Sequence, residues 1–172
     1  MAMQMIVAGG IAPVTDDLRT PDADNPRGYF EFDRVKNLRN DKSWVDEARG
    51  RVVKVIHMLV PELPDDRPYR VVFLERDLRE VVKSQSTMLA RNAKAGGALP
   101  PERLMAIYEQ QLKQVRAWLD ARSNFAVLAV RHADFIRDAS GQAAAISAFL
   151  GGGLDVAAMT AAVDPSLHRN KA

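Results

Sequence analysis

Arg70-Val-Val-Phe-Leu-Glu-Arg-Asp77 is the stretch on which the fold turns. Its centre is short, β-branched and nearly continuous in apolar character, the pattern of a strand covered on both faces, as in a parallel sheet. A helical pattern follows at once from Leu78 to Arg91, with Leu78, Val81, Val82, Met88 and Leu89 on one face. Asp77 is placed as its N-cap, and Glu80 three residues later completes a box-like signature. Two more stretches, Arg51–His57 and Phe125–Val130, read as buried strands in the same way. The three-to-four spacing of Leu104, Tyr108, Gln111/Leu112, Val115 and Trp118/Leu119, opened by Pro100-Pro101, predicts a helix over Glu102–Ala121. Another starts near Ser140 and stops at Gly151-Gly152-Gly153, and Asp155 caps a last short one through Val163. The first dozen residues read as the tail of a helix ending at Gly9-Gly10. Strands alternating with helices predict an α/β layered domain with a mostly parallel sheet, one unit over residues 1–172.

Composition agrees with one folded domain. The chain has 172 residues, 47% hydrophobic and 27% charged, which excludes disorder, collagen and coiled coil. It contains no cysteine, so disulfide scaffolds, iron–sulfur clusters, thiolate zinc sites and cysteine nucleophiles are excluded. With 24 basic against 22 acidic side chains and no clustered basic face, nucleic acid is not an expected partner. The apolar run Met5–Val14 is broken by Gly9, Gly10 and Pro13 and lacks a basic flank. It reads as neither signal peptide nor membrane span, so the expected location is the cytoplasm.

Ligands of such sheets bind beyond the carboxyl ends of strands. There Arg76 stands beside a helix N-terminus, where backbone N–H groups and the dipole favour an anion, and Ser84 lies eight residues on. Together they could clamp a phosphate; taken alone, composition favours Arg76 paired with Asp77 or Glu80 and Ser84 as a surface polar residue. His57, at the end of Arg51–His57 and preceded by Lys54, is a candidate general base, against the plainer reading of a histidine satisfied by a backbone carbonyl. Three scattered histidines argue against a histidine metal site, and Asp16-Asp17 with Asp22-Ala-Asp24 fits no calcium loop. No Gly-x-x-x-x-Gly-Lys-Ser/Thr, Gly-x-Gly-x-x-Gly or Gly-x-Ser-x-Gly element occurs. The Asp- and Pro-rich segment from Asp16 to Phe32 reads as a long functional loop.

These pieces together resemble bacterial members of the sulfotransferase family. The matching stretches are Ala8-Gly-Gly-Ile11, Asp24-Asn-Pro-Arg-Gly-Tyr-Phe-Glu31, Val53-Lys-Val-Ile56, Arg70–Asp77 with Ser84, and Phe149-Leu-Gly-Gly-Gly-Leu-Asp155, in the family's order over nearly the whole chain. The resemblance implies a three-layer α/β/α fold of the P-loop NTPase-like kind and 3′-phosphoadenosine 5′-phosphosulfate as sulfuryl donor. It implies that Arg76 and Ser84 hold the donor's 3′-phosphate, which a bidentate arginine recognises well. Arg169 offers a further phosphate contact, beside the plainer reading of a basic tail. For the catalytic base it implies His57 or Glu31: many members carry a histidine two residues after a lysine, whereas here His57 follows Lys54 by three, and some members use a glutamate.

The resemblance also implies a departure. Members begin with a strand and a loop like Pro-Arg-Ser-Gly-Thr-Ser that cradles the 5′-phosphosulfate, and this chain reads as starting inside the helix after it, about 15 residues in. The expectation is sulfuryl transfer to a hydroxyl or amine of a small-molecule or biopolymer acceptor, impaired by the missing loop, with Asp16–Phe32 and Gly96–Pro101 shaping the acceptor pocket. The competing expectation is a non-catalytic truncated α/β domain acting through protein contacts or weak nucleotide binding. A P-loop kinase relative is disfavoured, because no Walker lysine exists.

Overall fold

The computed structural model describes residues 1–16, 18, 28–91 and 99–164, with the backbone alone at 88–91. It contains a parallel pair of strands, β1 (Tyr69–Glu75) and β2 (Phe125–Arg131), in register Tyr69 with Phe125 through Glu75 with Arg131. Helices surround it: α1 (Ala2–Ala8), α2 (Leu78–Arg91), α3 (Pro101–Asp120), α4 (His132–Arg137), α5 (Ala139–Leu150) and α6 (Val156–Ala161). This is a mixed α/β architecture with a small parallel sheet, and α2 and α3 form the crossover from β1 to β2.

The caps explain where the helices start and stop. Asp77 Oδ1 accepts from Arg79 N at 2.8 Å at the head of α2. Pro101 opens α3 at a position where the missing N–H costs nothing. Asp138 and Asp155 each accept a backbone N–H at the heads of α5 and α6. At the tail of α5, Gly151 takes φ 115°, and the pair Gly152 N to Ser147 O and Gly151 N to Ala148 O closes a Schellman motif.

Alternation along the strands places the two cores. Val72, Leu128 and Val130 face a cluster with Met5, Ile6, Phe135, Ala143, Ile146 and Met159. On the opposite face Phe73 and Phe125 meet Val115 and Leu119 of α3. A third cluster, Val35, Leu38, Trp44, Val45 and Leu59, lies under three short 3-10 helices, Asp33–Asn37, Ser43–Val45 and His57–Glu62.

The expected strand Arg51–His57 is not one. Val52 makes a single parallel bridge with Pro13, through Val14 N to Val52 O and Val52 N to Ala12 O, and the chain enters a 3-10 helix at His57. Val53 and Val55 pack inward on the clusters near Leu59 and Val60, which explains their apolar spacing. Nor is the segment covered on both faces: none of its residues is fully buried and Ile56 is 57% exposed. A ladder needs a neighbouring strand, and beyond Val52 this segment has none among the described residues. The last helix also stops at Ala161, short of the expected Val163. No helix among the described residues is long and apolar enough to cross a membrane.

Tyr69 is the least comfortable member of the sheet. Its ring stacks on Phe125 at 4.6 Å, yet its hydroxyl is buried without a partner. Burial pushes the phenol up to about 12 from its ordinary 10.0. The unfolded phenol ionises first, so this contribution to stability is complete below pH 10 and is lost as pH rises toward 12. Tyr69→Phe removes the stranded hydroxyl and is expected to stabilise the fold by about 1–2 kcal/mol. It should also flatten the alkaline loss, as read by urea unfolding at neutral and alkaline pH. A variant no more stable than wild type, with the same alkaline loss, would count against this assignment.

Candidate functional site

The carboxyl end of β1 runs through Glu75-Arg76-Asp77 directly into α2, so Arg76 stands at a helix N-terminus as the sequence predicts. Beside it lies an open cavity of about 790 Å³ between the end of β1, α2 and α3. Phe73, Leu78, Val81 and Leu112 form its apolar wall, His57 and Tyr108 supply neutral polar groups, and the cations Arg76, Lys113 and Arg116 are matched by the carboxylates Glu75, Glu109 and Asp120. Neither Ser84 nor Glu31 is part of that wall.

Arg76 precedes α2 by two residues, and Glu80 and Ser84, four and eight residues further on, lie within it. Arg76 Nε donates to Glu80 Oε2 at 2.9 Å, with side chains only 27% and 12% exposed. The carboxylate expected to complete a capping box therefore sits between the arginine and the serine, and holds the arginine. Ser84 is half-buried, two turns into α2. This is the ion pair that the composition-based reading named.

His57 reaches the cavity from the start of its 3-10 helix, and its Nε2 lies 3.1 Å from Gln111 Oε1 of α3. In the tautomer that carries its proton on Nε2, the ring donates to this amide oxygen and the Nδ1 lone pair is left as an acceptor. The partner is a side chain of α3, in place of the backbone carbonyl that the plainer reading assigned. Glu31 belongs to a different neighbourhood. Lys54 Nζ donates to Glu31 Oε1 at 3.1 Å and to the Tyr29 carbonyl at 2.7 Å, so the lysine that invited comparison with His57 serves Glu31 instead. Next to it Phe30 takes φ 49°, a left-handed conformation rare for an aromatic residue.

Asp16 is a structural acid. It accepts from the backbone N–H groups of Asp33 at 2.5 Å and Leu18 at 3.1 Å, and the Asp33 bond is the largest cause holding its carboxyl below the ordinary range. Arg169, Asp17, Asp22, Asp24 and the Gly96–Ala98 part of the second expected loop lie outside the described residues.

The groups that sequence reasoning missed come from α3. Tyr108 donates to Gln85 Oε1 at 2.6 Å, pinning α3 to α2, and Arg116 donates to Glu75 Oε1 at 2.6 Å, pinning it to the end of β1. Tyr108 and Gln111 stand in the three-to-four spacing that predicts α3. Two hydrogen-bonding groups three apart within that spacing were the available signal that this face borders a polar cavity. Comparison of the chain with protein-family models, curated proteins and solved structures finds no match.

Proposed function

We propose that the chain is a sulfotransferase-type domain of three-layer, P-loop-like architecture that binds 3′-phosphoadenosine 5′-phosphosulfate at the carboxyl end of β1. The observation that supports it best is the position of Arg76, between a parallel strand and the N-terminus of a 14-residue helix, on the wall of a roughly 790 Å³ cavity. Packing on both sheet faces, by Phe135 and its neighbours on one side and by α3 on the other, is compatible with the layered part of the proposal, although Leu74, Ala126, Val127 and Ala129 stay exposed.

Arg76 suits the 3′-phosphate. A guanidinium carries five N–H donors, and the bond to Glu80 engages Nε. A phosphate held by Arg76 and Ser84 would compete with the Glu80 carboxylate for the same cation. In the reaction, the acceptor oxygen forms its bond to sulfur as the bond from sulfur to the nucleotide's phosphate oxygen breaks. That electron pair leaves on adenosine 3′,5′-bisphosphate, and the acceptor proton passes to a base. His57 Nδ1 is the base we assign within the cavity, with Gln111 orienting the ring. Glu31, held by Lys54, is the alternative base on a separate face. Lys113, on the cavity wall, would balance charge developing at the leaving phosphate, whereas Arg116 is engaged by Glu75.

A second reading keeps its own observation: Arg76 is already paired and Ser84 does not line the cavity, as expected of a non-catalytic α/β domain. Calorimetric titration with adenosine 3′,5′-bisphosphate separates the two. The expected result is binding that weakens about 10- to 100-fold in Arg76→Ala, the scale of one charge-assisted hydrogen-bond set. Glu80→Gln should tighten binding by freeing the guanidinium. Absence of binding favours the non-catalytic domain, and binding indifferent to Arg76→Ala removes the clamp.

A further inference from the structure

We propose that Met58 is a reversible oxidation site, whose sulfoxide draws the Gln111 amide away from His57. A second cavity, of about 220 Å³, is lined by Met58, Pro61, Gln111, Gln114, Val115 and Trp118. His57 lines the large cavity and Gln111 lines this one, so their 3.1 Å contact links the two. Met58 follows His57 directly in the 3-10 helix His57–Glu62.

Exposure selects this sulfur. Of the methionines whose side chains are described, Met5 and Met159 are fully buried, and Met1, Met3 and Met105 are half-buried. Among them only Met58 is exposed, at 46%. A hydroperoxide therefore reaches this thioether first. The sulfur lone pair attacks the terminal peroxide oxygen, an S–O bond forms and the O–O bond breaks. Sulfur gives up two electrons, and the other oxygen takes the peroxide proton and leaves as water or an alcohol.

The wall around Met58 gives the new oxygen a partner. It holds no charged side chain, and two of its six residues are amides. Gln111 uses its Oε1 toward His57, and neither its N–H₂ nor the Gln114 amide has a partner among the described residues. A thioether is a weak acceptor, whereas a sulfoxide oxygen is polar and accepts readily. The sulfoxide takes the Gln111 N–H₂, and turning the amide toward it removes Oε1 from His57. The ring loses the acceptor that holds its proton on Nε2, and the neutral tautomer moves toward Nδ1–H. One consequence rests on the reading of His57 as the base: a proton on Nδ1 occupies the accepting nitrogen, and oxidation turns the site off.

Hydrogen peroxide treatment, read by peptide mass mapping and by nitrogen NMR of the histidine rings, tests this. Neither readout needs turnover, so the outcome is separate from that of the sulfotransferase reading. In wild type, Met58 is expected to gain one oxygen before Met1, Met3 and Met105 do. The His57 ring nitrogens should shift toward the Nδ1–H tautomer, and methionine sulfoxide reductase should restore them. Met58→Leu, which nearly keeps the volume, should leave them unmoved by peroxide while the other methionines oxidise. In Gln111→Leu, Met58 should still take its oxygen and His57 should not respond. Ring nitrogens that ignore Met58 oxidation in wild type overturn the proposal. So does a response that persists in Gln111→Leu, or a Met58 that oxidises after the half-buried methionines.

Discussion

Phe135→Ala is expected to cost about 3–5 kcal/mol of stability, a large share of the ~5–15 kcal/mol that holds a domain folded. The ring is fully buried and shares its cluster with residues from four other elements: Met5 and Ile6 of α1, Val130 of β2, Ala143 and Ile146 of α5, and Met159 of α6. Those neighbours cannot all close on the space it leaves, because they are anchored by independent backbones. The α1–α6 contact is already tight, since a Cβ at Gly9 would lie 2.7 Å from Met159 Cγ and Sδ. Met159→Leu, which nearly keeps the volume, should cost under about 1.5 kcal/mol. Urea unfolding of the three proteins, compared at constant m-value, reads both differences. A Phe135→Ala loss as small as that of Met159→Leu would show that the site collapses, and that this cluster is not what joins the terminal helices to the sheet.

What could be read from the chain follows the range over which each signal acts. Asp77, Pro101, Asp155 and Gly151 act on backbone groups within a few residues, so the helix boundaries they mark reappear in the structure with small shifts. The strands at Tyr69–Glu75 and Phe125–Arg131 were legible because an apolar run flanked by helical patterns has few other homes. Arg51–His57 has the same composition and is not a strand, since pairing depends on a neighbour that local propensity does not encode. The candidate site follows the same division. Arg76 at the head of α2 is a local consequence of strand followed by helix. Its capture by Glu80 was legible from the spacing, as one of the two partners that the plainer reading named. The meetings of His57 with Gln111 and of Arg116 with Glu75 join residues 54 and 41 apart in sequence, and no single-chain periodicity reports them. Lys54 shows how a local pattern misleads: its sequence neighbour is His57, and its structural partner is Glu31, 23 residues away.

Trp44 carries the other large expected effect, and the comparison of two substitutions makes it informative. The indole is 1% exposed and packs among Val35, Leu38, Val45 and Leu59, with the Phe32 ring edge-on at 5.3 Å. Around it the backbone is built from short 3-10 turns, which supply few regular hydrogen bonds, so side-chain burial has to hold this part of the chain in place. Trp44→Ala is therefore expected to cost about 3–5 kcal/mol. Trp44→Phe should cost far less, about 1 kcal/mol or under, because two terms oppose. The smaller ring gives up apolar contact, but it also removes an indole N–H that is buried with no hydrogen-bond partner, and relieving such a group returns about 1–3 kcal/mol. Urea unfolding followed by circular dichroism measures both variants. Intrinsic fluorescence adds a local check, since removing Trp44 should take the buried emission and leave the half-buried Trp118 as the remaining indole. If Trp44→Phe proves as costly as Trp44→Ala, the benefit of losing the unpaired N–H is absent and the full indole is required to fill the space beneath the 3-10 turns.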